Sequence, residues 1–188
     1  MSGFALHLMR HGAPAQTGLL LGHADVPISQ AGCSACFARG RSLDVSAVIS
    51  SDLERARRPA KLLASWQDLP LHCDPRWREL GFGQWDGAAP ADLPPRELAD
   101  FWNDPDRSPP PGGETWSALT DRVGAALAEI EEATLVVAHA GPIRAALCHL
   151  LGWNYRQGWS LALPYAALVS LTVWPGSPRS AQITGLIA

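Results

Sequence analysis

Residues Leu6–Pro14 read LHLMRHGAP, an apolar run that breaks off into an arginine, a histidine and a glycine. A short run without polar alternation suits a strand covered on both faces of a sheet. Its abrupt end brings positive charge, an imidazole and a residue that permits close backbone approach to one point. A second run, TLVVAHAG (134–141), repeats the arrangement and delivers His139, Ala140 and Gly141. FALHLM (4–9), VSAVIS (45–50), LHC (71–73), ALVSLTVW (167–174) and AQITGLIA (181–188) also read as strands.

Helical patterns separate these runs. Ser29 is expected to cap a helix reaching about Arg41, and Asp52 to cap LERARRPAKLLASW, with Pro59 kinking that helix or resetting its start. ETWSALTDRVGAALAEIEEA (114–133) carries apolar positions at helical spacing, and PIRAALCHLLG follows with Pro142 in its first turn. Strands alternating with helices predict an α/β three-layer sandwich, a mostly parallel central sheet with helices on both faces. Residues 86–114 break the rhythm. They are dense in proline and carry Phe101 and Trp102, so they read as a lid-like excursion within one domain spanning 1–188.

Composition narrows the function classes. A hydrophobic content of 47% with 18% charged residues is that of an ordinary globular chain, not a disordered one. The net charge of −3 provides no basic footprint for nucleic acid. No uninterrupted run of 18 apolar residues offers a membrane span, and the first residues lack a secretory pattern. A soluble cytoplasmic protein, monomer or homodimer, is expected. Cys33 and Cys36 form a C-x-x-C without a second pair to complete a zinc site, in a stretch that reads as helix.

In open α/β sheets ligands bind beyond the carboxyl ends of strands. Two strand ends supply Arg10, His11, Gly12 and His139, a third is followed by SSDLERARRPA with its arginines, and RWRELGFGQWDG adds the acid Glu79 beside a glycine turn. Guanidinium forks match phosphate oxygens. An imidazole, several cations and one carboxylate suit phosphoryl transfer through a phosphohistidine, the carboxylic acid protonating the leaving alcohol.

The motifs LMRHG, SSDLERA, RELGFGQWDG, PGGET and VVAHAGPIR, in this order, resemble those of the histidine phosphatase (phosphoglycerate-mutase-like) superfamily over essentially the whole chain. The resemblance implies that His11 is the phosphorylated nucleophile, that Arg10, Arg55 and His139 hold the phosphoryl group, and that Glu79 is the proton donor. It implies that the backbone of Gly12, Leu21, Gly22 and Ala140 contributes to the substrate site. It implies no cofactor and no metal, and a small-molecule phosphate ester as the partner, with neither nucleic acid nor membrane. The start RHGAP, the stretch GHADVPIS and the length resemble the α-ribazole-phosphate phosphatases of cobalamin synthesis. A general phosphosugar, phosphoglycerate or phosphoserine phosphatase, a mutase, and a non-catalytic phosphate-binding module are the alternatives. The chain departs from the family at Ala13, Pro14, Thr17 and Ala140. Thr17 stands where an asparagine is usual, and would donate one hydrogen bond to phosphate in its place.

Other readings compete for single residues. Asp86 or Asp92 could serve as the acid instead of Glu79, and Trp85 or Trp102 could wall a ring-bearing substrate. Arg57, Arg58 and Arg144 read as surface or helix-support residues, and His7, His72 and His149 as incidental. Cys33–Arg39 matches C-x-x-x-x-x-R, the signature of cysteine-dependent phosphatases, but follows no strand and contains no glycine.

Overall fold

The computed structural model describes residues 2–188. Six strands form one sheet: β1 (Phe4–Arg10), β2 (Ala47–Ser50), β3 (Leu71–Cys73), β4 (Thr134–Ala138), β5 (Leu168–Trp174) and β6 (Ser180–Ile187). Their order is β3-β2-β4-β1-β5-β6. The four strands from β3 to β1 run parallel, whereas β5 and β6 are antiparallel additions beyond β1. The sheet is therefore mixed, though mostly parallel: β5 alone runs against the other strands, and the tight return from β5 gives its antiparallel pair with β6.

β1 and β4 are central, and side chains of both alternate between the two faces with the period of two that a strand imposes. Leu6 and Leu8 pack on one side with Val136 and Ala138, while Met9 packs on the other with Leu135 and Val137. The first side is covered by α4 (Trp116–Ala128) and α5 (Ala140–Leu151), the second by α1 (Gln30–Gly40) and α2 (Glu54–Gln67). Three layers result, as the alternation of elements predicts.

The helix boundaries follow from their caps. Ser29 Oγ accepts from the Gly32 amide at 3.0 Å and starts α1, and Thr115 Oγ1 accepts from Ala118 and starts α4. Gly152, at φ 67°, ends α5 in the left-handed conformation. Asp52 does not cap α2. Leu53 occupies that position without a side-chain bond, and Asp52 instead forms a two-toothed ion pair with Arg78 at 2.7 and 2.5 Å. A nearby guanidinium outcompetes a backbone amide for the carboxylate. Pro59 does not divide α2, which continues through it.

Residues 86–114 carry a 3-10 turn, α3 (Pro95–Asn103) and an irregular return. Phe101 fixes this segment. It is 1% exposed, and its ring meets Phe82, Trp85 and Trp102 at 6.1, 5.8 and 4.7 Å. The short α6 (Tyr155–Trp159) holds the segment from the other side: Tyr155 donates to the Trp102 carbonyl and Arg156 to Asn103. Among the described residues no helix is long and apolar enough to cross a membrane.

Candidate active site

Parallel pairing of β1 and β4 brings Arg10 opposite Ala138, so the next residues, His11 and His139, emerge side by side from the carboxyl edge of the sheet. Backbone bonds extend the pairing past the strand: His11 N–H donates to Ala138 O, and the His11 carbonyl accepts from Ala166. The two imidazoles meet edge to face, with ring centroids 4.9 Å apart. The turn after His11 crosses α1 so closely that a Cβ on Gly12 would stand 2.0 Å from the Gly32 carbonyl oxygen. That contact accounts for the glycine in RHG.

Hydrogen bonding settles which nitrogen of His11 is free. Its Nδ1 lies 2.7 Å from the Gly12 carbonyl oxygen, which can only accept, so Nδ1 carries the proton and Nε2 keeps its lone pair. The imidazole is buried, and burial, then the positive field of Arg55, push its pKa down to about 3. His139 is pushed well below the ordinary histidine value by the same causes. Neither ring nitrogen of His139 has a hydrogen-bond partner, nor do the Nε atoms of Arg10 and Arg55. Four polar groups are thus unsatisfied in one small volume, where burial normally demands partners.

A cavity of about 140 Å³ opens at Arg10 and His11, lined by Arg10, His11, Leu19, Leu20, Leu21, Glu79, Phe82 and Tyr165, with Arg55 and His139 buried behind it. Arg10 donates to the Leu163 carbonyl at 2.6 Å and lies 4.2 Å above the Tyr165 ring, which fixes its direction. Arg55 is wholly buried, and its terminal nitrogens donate to the carbonyls of Leu21, Gly22 and Ala24. Asp86 holds the same loop from the other polarity, accepting from the amides of Gly22, His23 and Ala24 at 2.7–2.9 Å. Neither Asp86 nor Asp92, the alternative acids, lines the cavity at His11, whereas Glu79 does.

Glu79 remains. Its Oε1 accepts from the amides of Leu80 at 2.9 Å and Gly141 at 3.0 Å, which aims the carboxyl at the start of α5. A Cβ at position 141 would fall 2.1 Å from that oxygen, so Gly141 is obligatory for this approach. Behind Glu79, Arg122 donates to the carbonyls of Arg76, Arg78 and Glu79 and pairs with Glu114 at 2.7 Å. Glu114, the acid of PGGET, accepts from Gly81 in turn. The motif therefore supports the turn that carries Glu79.

Not every expected residue reaches the cavity: Arg55, whose terminal nitrogens are taken by loop carbonyls, His139, Gly12 and Gly22 do not line it. Thr17 is exposed and lines none of it. Ala140 opens α5 and faces a second cavity. This cavity, of about 220 Å³, shares Arg10, Glu79 and Phe82 with the first and is walled by Phe101, Trp102, Trp116, Arg144 and Trp159. Trp85 does not line it, being buried against Phe101 in the core. Arg144 is not a surface residue; it is held half-buried over the Trp159 ring at 4.4 Å. Tyr165 escaped the sequence reading because it belongs to no motif. One topological signal points to it: β5 is antiparallel to β1, so the residues before β5 lie at the same sheet edge as the residues after β1.

The cysteine alternative fails on geometry. Cys33 and Cys36 lie inside α1, where no loop of amides surrounds them, and burial pushes the Cys36 thiol up to about 12 and the Cys33 thiol in the same direction.

Comparison with known proteins agrees with this geometry. The family model described as histidine phosphatase superfamily (branch 1) matches residues 6–184. The adenosylcobalamin/alpha-ribazole phosphatase of Escherichia coli K12 is 32% identical, over 82% of this chain and 87% of that protein. A probable phosphoglycerate mutase of Salmonella choleraesuis is 30% identical over 81% and 78% of the two chains. The mycobacterial glucosyl-3-phosphoglycerate phosphatase superposes with a TM-score of 0.85 at 24% identity, covering 97% of each chain, and thereby shares the fold.

The depressed histidine pKa has a consequence for stability. Folded His11 stays neutral down to about pH 3, whereas the unfolded residue protonates near 6.5, so between these values the unfolded chain binds the extra proton. Stability therefore falls on acidification through that window, by on the order of 2 kcal/mol by pH 4.5 for this group. Urea unfolding at pH 7 and pH 4.5 is expected to show a smaller acid loss for His11→Asn than for the unaltered protein. An identical loss in both would contradict the neutral buried imidazole.

Proposed function

The chain belongs to the histidine phosphatase superfamily and is a phosphatase, and from that premise we propose that it hydrolyses a small phosphomonoester through a phosphohistidine on His11. The observation that carries this reading is the bond from His11 Nδ1 to Gly12, which leaves Nε2 unprotonated beside Arg10, Arg55 and His139. In the first step Nε2 attacks phosphorus while the P–O bond to the alcohol breaks, and Glu79, protonated, delivers its proton to the departing oxygen. Arg10 and His139 supply donors to the phosphoryl oxygens, and Arg55 adds positive field while holding the Leu21–Ala24 loop. In the second step Glu79 takes a proton from water, the new O–P bond forms as N–P breaks, and phosphate and free His11 result. Residues 79 and 141 set the acid's position; the site carries one carboxylate, too few for a magnesium ion, so the chemistry is read as independent of metal.

The second cavity supports a substrate whose alcohol portion bears a ring, because it opens beside Glu79 and is walled by indoles. The name of the Escherichia coli relative points the same way, toward α-ribazole 5′-phosphate. The relation to a probable mutase keeps phosphoglycerate as the competing substrate. Residues 86–114, pinned at Trp102 and Asn103 by α6, are read as the lid over the leaving group within one domain spanning residues 1–188.

With purified protein, α-ribazole 5′-phosphate is expected to be hydrolysed with a higher kcat/KM than 3-phosphoglycerate, releasing free phosphate. A preference for 3-phosphoglycerate, or isomerised product without phosphate, would overturn the substrate assignment. Glu79→Gln is expected to slow alkyl esters by roughly 10²–10⁴-fold and p-nitrophenyl phosphate far less, since p-nitrophenolate leaves without a proton. Equal losses on both ester types would exclude Glu79 as the acid.

A further inference from the structure

Arg144 closes the stretch VVAHAGPIR, yet nothing in the phosphoryl chemistry uses it. It rises from the second turn of α5 into the cavity of about 220 Å³ on the far side of Arg10 and Glu79, where the alcohol half of an ester would lie. Its Cζ stacks 4.4 Å over the Trp159 ring, its Nε is buried without a partner, and one terminal nitrogen makes a long 3.2 Å bond to the Leu161 carbonyl. No carboxylate pairs with it at ion-pair distance among the described residues. A guanidinium immobilised by stacking, with donors left over, is preorganised to bind an acceptor.

Away from Arg10 and Glu79, aromatic rings dominate the walls. Trp102 and Trp159, with ring centroids 5.6 Å apart, and Trp116, 5.9 Å from Trp159, line the same cavity as the guanidinium. Trp102 and Trp159 are left 39% and 37% exposed although both face this cavity. Scattered exposed indoles need no explanation, but two on one cavity beside a stacked cation make a surface for a flat ring.

We propose that Trp102, Trp159 and Arg144 form a base-reading subsite that takes a planar nitrogen heterocycle and donates a hydrogen bond to its unprotonated ring nitrogen. This deepens the phosphomonoesterase reading and rests on it. The indoles supply stacking that tolerates any flat ring; Arg144 supplies discrimination, because a ring without the lone pair leaves its donors buried and unpaired. Arg144 is thus a specificity residue rather than a phosphate ligand.

The test uses two ribosyl 5′-phosphates of the same shape, one bearing benzimidazole and the other indole, which lacks the ring-nitrogen lone pair. The unaltered protein is expected to favour benzimidazole by roughly 10- to 100-fold in kcat/KM, the range of a hydrogen bond to a charged donor. Arg144→Met is expected to bring the ratio near unity, chiefly by raising KM for the benzimidazole ester. Trp102→Leu, which leaves the Trp159 ring under Arg144, should raise KM for both esters and leave the ratio intact, which separates stacking from reading. A ratio near unity in the unaltered protein, or a ratio that survives Arg144→Met in a protein with unchanged thermal unfolding, overturns the inference. Faster turnover of 3-phosphoglycerate than of either riboside overturns the substrate assignment instead, and a riboside ratio erased by Arg144→Met would still uphold the subsite.

Discussion

Everything at the carboxyl edge of the sheet is arranged around unsatisfied positive charge in a buried volume. Arg10 and Arg55 enter from different elements, both keep an Nε without a partner, and His139 keeps two bare ring nitrogens. Such an arrangement costs stability, since each buried polar group forgoes water. It also forces both imidazoles to be neutral, because a third cation there would meet two guanidinium groups as well as desolvation. In the proposed mechanism a phosphoryl group relieves that cost, its oxygens and negative charge taking up free donors, and a neutral His11 keeps the lone pair that the attack on phosphorus requires. Function and local destabilisation are one feature seen from two sides.

Holding these groups apart and in place occupies a large share of the polar side chains. Arg55 and Asp86 grip the Leu21–Ala24 loop from its carbonyls and its amides, so neither polarity of backbone is free to turn. Arg122 and Glu114 do the same for the turn bearing Glu79. All four side chains are buried or partly buried and tied to backbone, and Arg122 and Glu114 are also paired with each other, which makes them positioning devices rather than surface decoration. The apolar framework supplies the rest: β1 and β4 are clamped between helices on both faces, and the fixed register of their pairing is what sets His11 beside His139.

Much of this was legible in the sequence because it is written in local patterns. The strand ends at Arg10 and His139, the cap at Ser29 and the glycine turns each have a short-range signature. The misses have a common cause in contacts that cross the chain. Asp52 carries a capping residue's identity, but Arg78 arrives from 26 residues away and takes its carboxylate. Arg144 reads as a surface arginine until α6 folds Trp159 beneath it. Trp85 and Trp102 are equivalent by type; only Phe101, packing between them, sends one to the core and leaves the other facing the cavity. The family resemblance puts Thr17 at the phosphate, yet the loop leaves it exposed to solvent.

The proposed covalent step on His11 is the point on which this account of the chemistry turns, and it can be looked for directly. Purified protein would be mixed with a phosphate-labelled ester, quenched in base within the first turnovers, and digested for mapping by mass spectrometry. One acid-labile, base-stable phosphoryl group on the peptide containing His11 is the expected result. A label on Cys33, or turnover without any label on His11 at times when product is accumulating, would contradict it.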